Sequence, residues 1–170
     1  MKTIKLPFCK ICLKTGLLCS ACQEKIKKGL YKEKDLEISR KILEFAEKEK
    51  GLTEVEYKKS IERNGVLVLV FRRGSLDKLM SSGGIKLIKT LEKEFKQEIR
   101  VIEEGNRQEI IRDLIPATIK SYNTIYYPGE LTVLNIKVDP QGYKRIKSKK
   151  DAYESLIREI VGISYVQISA

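Results

Sequence analysis

The sequence predicts an α+β protein: a short cysteine-rich segment, a linking helix, then two similar α/β modules. Three observations predict it. Four cysteines are confined to residues 9–22, an amphipathic helical pattern follows, and two later stretches each run hairpin, helical region, closing strand. The resulting parts are residues 1–34, 35–52, 53–105 and 106–170.

The cysteines read Cys9-Lys-Ile-Cys12, six residues, Cys19-Ser-Ala-Cys22. Two CxxC knuckles joined by a turn bring four soft thiolates around one ion, and Lys14-Thr-Gly16 supplies turn chemistry. The chain has no histidine, so metal ligands must come from Cys, Asp or Glu, and Ser-His-Asp or Cys-His catalysis is excluded. Two disulfides, a redox dithiol and an iron-sulfur cluster compete with this reading. A reducing compartment disfavours structural disulfides, and zinc held by Cys9, Cys12, Cys19 and Cys22 is preferred. Four protein ligands leave no open position for substrate water, so one structural zinc ion is expected.

From Asp35 to Lys50, Leu36, Ile38, Ile42, Leu43, Phe45 and Ala46 project onto one half of a helical wheel, with Gly51 as the stop. Thr53 to Ile61 alternates as a strand. Asn64-Gly65 then precedes the wholly apolar Val66 to Phe71, which predicts a tight hairpin whose second strand is central. A short helix follows from Ser75, its expected cap, to Met80. Ser81-Ser-Gly-Gly84 interrupts it, a longer helix runs over 85–95, and Glu98 to Ile102 alternates as a strand.

Gln108 to Ile115 reads as a short helix ended by Pro116, and Pro128-Gly129 turns the run 119–127 back into Leu131 to Val138. Asp139-Pro140 stops that strand. The basic stretch Lys144-Arg-Ile-Lys-Ser-Lys-Lys150 leads to a helix over 151–161, and Ser164 to Ile168 closes the second module.

A sheet with a helix-loop-helix carrying small residues is the outline of a KH module, whose GxxG loop clamps a nucleic-acid backbone. Phe71-Arg-Arg-Gly74, Lys78-Leu-Met-Ser-Ser-Gly-Gly84, Leu87-Ile88, Leu91-Glu92, Ile99-Arg-Val-Ile102, Ile111-Arg-Asp-Leu-Ile-Pro-Ala117 and Val138-Asp-Pro140 resemble, in order, the tandem KH region of archaeal NusA-like transcription factors. The resemblance covers about residues 53–168. The cysteine segment is similar to the zinc-binding N-terminus of some members. The resemblance implies two type II KH domains docked on each other, and RNA binding during transcription elongation or termination. Two departures stand out: the first loop reads Ser81-Ser82-Gly83-Gly84, without Lys or Arg in the middle, and the second module is expected to lack a loop, with cations in its place.

The candidate RNA contacts are therefore Ser81, Ser82, Gly83 and Gly84, with Lys86 and Lys89 on the following helix. Arg72 and Arg73, at the strand end, are expected to turn toward that loop. Lys144, Arg145, Lys147, Lys149 and Lys150 place five cations in seven residues. Tyr122, Tyr126 and Tyr127 would stack on bases or simply fill a hairpin face. A net charge of +11, from 34 Lys and Arg against 23 Asp and Glu, suits a polyanionic partner.

No paired-carboxylate, Walker or nucleophile-base motif is present, so a non-enzymatic protein without a small-molecule substrate is expected. The longest apolar run, Val66 to Phe71, is far below the roughly 20 residues of a membrane span. Lys5, Pro7 and Lys10 interrupt any signal-peptide pattern, and a cytoplasmic location without membrane partners is expected. A second reading makes the cysteine segment and its helix an adaptor docking on RNA polymerase or the ribosome, with vestigial KH modules.

Overall fold

The computed structural model describes residues 4–49 and 52–170; Lys50 and the Gly51 stop lie outside the described residues. The described elements are α1 (Lys10–Thr15), α2 (Ser20–Lys27), α3 (Glu33–Lys48), β1 (Tyr57–Arg63), β2 (Val66–Phe71), α4 (Ser75–Ser81), α5 (Gly84–Phe95), β3 (Glu98–Glu103), α6 (Arg107–Leu114), β4 (Ile119–Tyr127), β5 (Leu131–Val138), α7 (Pro140–Ile146), α8 (Lys150–Val161) and β6 (Tyr165–Ser169). A 3-10 turn, Lys147–Lys149, joins α7 to α8. The architecture is α+β, with a cysteine cluster ahead of two three-stranded sheets.

The run α3-β1-β2-α4-α5-β3 and the run α6-β4-β5-α7-α8-β6 follow one order, each with its second strand in the centre of its sheet. The chain divides into two compact units, Met1–Ser60 with Leu69–Glu104, and Ile61–Val68 with Gly105–Ala170.

In the first sheet, Asn64 and Gly65 both take positive φ, 43° and 84°, as the tight hairpin between β1 and β2 requires. All six residues of β2 are buried, in keeping with a strand apolar on both faces. The helix α3 is more than a linker. Its Asp35 is buried and its Oδ1 accepts from the Tyr57 hydroxyl (2.8 Å), the Ser60 N–H (2.8 Å) and the Ser60 hydroxyl (2.7 Å), while Oδ2 accepts from the Lys32 N–H (2.9 Å). These bonds lock α3 onto β1, and α3 also packs on α1 and α5.

Ser75 does not cap α4. Gly74 holds the cap position at φ 85°, and the buried Ser75 hydroxyl accepts from the Glu56 N–H at 3.1 Å. Gly84 opens α5 where a Cβ would lie 2.6 Å from the Leu79 carbonyl oxygen, so the close approach of α4 and α5 demands glycine.

In the second sheet β4 pairs antiparallel with β5, and β5 pairs parallel with β6. Leu134, Ile136, Val138, Val166 and Ile168 are buried, and α8 packs on β6. The sequence predicts a strand stop at Asp139-Pro140 and a basic stretch leading to the next helix; at this stop the chain forms α7. Asp139 is its N-cap, accepting from the Gly142 N–H at 2.9 Å, and Pro140 fills the first helical position, whose N–H would have no helical partner.

Candidate metal centre and basic turns

Both knuckles are built alike. Cys9 and Cys19 are the N-cap residues of α1 and α2, with extended backbone, and Cys12 and Cys22 stand three residues on in the first turn. A helix start exposes unpaired N–H groups, so each CxxC turns its two sulfurs toward donors that favour a thiolate. Gly16 ends α1 in the left-handed region (φ 76°), its N–H reaching the Cys12 carbonyl at 3.0 Å, and returns the chain toward Cys19.

The four Sγ atoms all lie within 4.8 Å of one another. Bonds of about 2.3 Å in a tetrahedral tetrathiolate place sulfurs about 3.8 Å apart, so this donor set fits a metal ion with only small adjustment. The Cys19 N–H donates to Cys12 Sγ at 3.1 Å, and Cys9 Sγ lies 3.1 Å from Cys12 Sγ. The Cys22 N–H draws the Cys19 thiol down to about 7, and the Cys12 N–H lowers Cys9. At Cys12 the Cys19 N–H also favours the thiolate, but contact with the Cys9 sulfur and burial prevail and push it up to about 12; burial raises Cys22. A bound cation would replace the protons these sulfurs share.

Neighbouring groups hold this segment in place. Leu13 and Phe8 are buried, Phe8 meets Tyr31 edge-on with ring centroids 5.5 Å apart, and Lys25 Nζ donates to the Pro7 carbonyl at 2.6 Å. Arg40 Nε, on α3, donates to the Leu13 carbonyl at 3.1 Å, where the C-terminal end of α1 is negative. Ile11, Leu17 and Leu30 remain 74%, 79% and 65% exposed. No local pattern marks these three in the sequence: Ile11 lies inside a CxxC pair, and Leu17 and Leu30 each follow a glycine.

The remaining candidates fall into separate places. Ser81 ends α4, Ser82 and Gly83 form the turn, and Gly84 begins α5. Ser81 Oγ donates to the Lys78 carbonyl (3.1 Å), and a Cβ on Gly83 would lie 3.5 Å from the Phe45 ring of α3. Lys86 and Lys89 are exposed on α5. Arg72 and Arg73 precede α4 whereas the turn follows it, so seven helical residues, about 10 Å, stand between them. Arg72 Nη1 lies 3.4 Å from Glu56 Oε2.

The second unit has a helix-turn-helix where its loop was expected to be missing. Lys144 and Arg145 occupy the last turn of α7, Lys147 and Lys149 the 3-10 turn, and Lys150 the start of α8. Lys144, Arg145 and Lys147 are exposed, and Lys150 faces Glu154 at 3.6 Å. Gly142 is required by contact: its Cβ would lie 2.3 Å from Ala117 Cβ. Among the described residues no helix is long and apolar enough to cross a membrane.

No family model matches the chain, and none of the curated proteins matches it significantly. A solved structure described as the crystal structure of APE1850 is similar over 76% of this chain and 95% of its own length, with a TM-score of 0.53 and 23% identity, a likeness of fold.

Proposed function

We propose that the chain is a non-enzymatic, cytoplasmic RNA-binding factor of the NusA-like type, acting in transcription elongation or termination. In this reading the two repeated runs are type II KH modules, and the cysteines hold one structural zinc. The observation that carries it is the repeated α-β-β-α-α-β order, with a helix-turn-helix inserted between the second and third strands of each run. One turn consists of Ser and Gly; the other carries Lys147, Lys149 and Lys150. The first would bring backbone close to a phosphate, and the second would hold phosphates by charge.

Fluorescence anisotropy with a short single-stranded RNA tests the reading. Binding should weaken steeply with salt, by a log-log slope of about 0.7 per phosphate contacted. Reversing the charges at Lys144, Arg145, Lys147, Lys149 and Lys150 should reduce both affinity and slope. Absence of binding at low salt overturns it; affinity unchanged by the reversals overturns the part assigned to the basic turn. Elemental analysis of protein purified without added metal should return about one zinc per chain.

The exposed Ile11, Leu17 and Leu30 favour a second reading, in which the cysteine segment docks on RNA polymerase or the ribosome. Capture of either from lysate after RNase treatment, lost on substituting these three residues by serine, supports the adaptor. Capture that disappears with RNase favours RNA.

A further inference from the structure

The second sheet has one covered face and one open face. Alternate residues of β5 and β6 point to the buried side, and the register sets the others in rows across the open side. One row is Ile125, Val133 and Tyr165; beside it Tyr127 faces Leu131. Tyr127, Leu131 and Tyr165 are 51%, 43% and 56% exposed. On the other side of the first row lies a row of three amides, Asn123, Asn135 and Gln167.

The next row carries Lys137, and the Arg158 guanidinium lies 5.7 Å from the Tyr165 ring centroid. The outward strand positions of this face carry no carboxylate; the exposed Glu130 lies in the turn between Tyr127 and Leu131 at its rim.

From this arrangement we infer that the open face of β4, β5 and β6 is a stacking platform for single-stranded RNA. The inference takes its ligand class from the proposed function but assigns a different surface from the basic turns. Aromatic rings accept the faces of unpaired bases, and amides can bond their exposed edges. Lys137 and Arg158 supply the positive charge that a phosphodiester requires, and the absence of acids from the strand positions removes repulsion there. Tyr127 and Tyr165 stand two strand spacings, about 10 Å, apart across the sheet and one row, about 7 Å, apart along it, so an RNA strand laid diagonally over the three β-strands meets both rings, about 12 Å apart. A partner protein or a second copy of the chain would use the aliphatic row but has no need of acid-free strand positions with a cation over one ring.

The test uses the full chain and a fluorescein-labelled twelve-nucleotide oligoadenylate. The pair Tyr127→Ala and Tyr165→Ala should weaken binding at least about ten-fold, whereas Tyr127→Phe with Tyr165→Phe should leave it within about two-fold, because stacking needs the ring and not the hydroxyl. The alanine pair should leave the salt slope unchanged, while charge reversal over 144–150 lowers it. The chain has no tryptophan, so Tyr165→Trp adds a single reporter, whose emission should be quenched by the oligonucleotide.

Equal affinity of the alanine pair and the wild type, or an unquenched Trp at saturation, overturns the platform and leaves the basic-turn reading standing. Loss in the alanine pair with none on charge reversal does the opposite. Wild-type protein that binds no RNA overturns both. Concentration-dependent association in sedimentation that disappears in the alanine pair, with RNA affinity unchanged, assigns the face to self-association and also overturns the platform.

Discussion

The Tyr57 hydroxyl donates to Asp35 Oδ1 at 2.8 Å, and both residues are buried. This pair fastens the helix that follows the cysteines to the first strand of the first sheet, and Ser60 completes it through its N–H and hydroxyl. A carboxylate removed from water is tolerable only when its lone pairs are occupied. Asp35→Ala would leave four donors without their acceptor, the Tyr57 and Ser60 hydroxyls and the Ser60 and Lys32 N–H groups, and should destabilise the fold by about 3 kcal/mol; Asp35→Asn, which keeps one oxygen, should cost about half as much. Urea unfolding would measure both. A loss below about 1 kcal/mol for the alanine variant contradicts the assignment.

Tyr57 also predicts a pH dependence. Burial, the Asp35 charge and the bond to it push the Tyr57 hydroxyl well above its ordinary value of 10.0. A raised folded-state value means that the contribution is fully present below the unfolded value near 10 and is lost as pH rises above it, because the unfolded chain releases the proton first. Stability should therefore fall between about pH 10 and 11.5 more steeply for the wild type than for Tyr57→Phe. Unfolding free energies at pH 8 and pH 11 in the two proteins provide the comparison, and equal slopes would refute it. The difference between the two proteins is the quantity that decides.

The parts legible in sequence were those with a local physical signature. Asn64-Gly65 announced a turn that needs two positive φ angles, and the unbroken apolar run of β2 announced a strand covered on both sides. Cysteine spacing sufficed for the cluster of four sulfurs, which could hold a metal ion, because both knuckles are set by a single helical turn. The helices α1 and α2 were hidden, being too short to show periodicity. The role of α3 in the first run depends on a bond from Asp35 to a strand twenty-two residues away, which no window detects. The helix α7 does carry a signal, Asp139 as cap followed by Pro140, but the same pair also reads as a strand stop. Ser75 misled in the opposite direction: it has the chemistry of a cap, and the left-handed Gly74 took that place.

The glycines separate two kinds of constraint. At Gly84 an added Cβ would meet the Leu79 carbonyl oxygen at 2.6 Å and its carbonyl carbon at 2.9 Å, and at Gly142 it would meet Ala117 Cβ at 2.3 Å. Backbone cannot yield cheaply, so Gly84→Ala and Gly142→Ala should each cost about 2–3 kcal/mol. Gly83 has φ 84° with its nearest neighbour at 3.5 Å, and Gly83→Ala should cost about 1 kcal/mol from backbone strain alone. Thermal or urea unfolding of the three variants should reproduce that order. If Gly83→Ala proves the most damaging, packing between α4 and α5 is not what requires glycine at Gly84.

Removing the metal should act on a limited stretch. The sulfurs of Cys9, Cys12, Cys19 and Cys22 converge from two helix starts, and the burial of Leu13, the Arg40 bond to the Leu13 carbonyl, the Lys14–Glu47 pair and the Lys25 bond to the Pro7 carbonyl also hold this segment. Without an ion, four sulfurs within 4.8 Å must share protons, and the raised Cys12 and Cys22 favour thiols over a compact thiolate cluster. Chelation, or Cys12→Ser, should abolish amide-exchange protection in α1 and α2 while the buried strand β2 and the Asp35-Tyr57 contact remain protected. Metal affinity should rise with pH, because binding releases thiol protons. Hydrogen exchange followed by mass spectrometry, with and without chelator, reads both regions in one experiment. Unchanged protection over residues 10–27 after complete metal removal would show that packing alone holds the knuckles; collapse of protection in β2 would show that the first sheet depends on the metal as well.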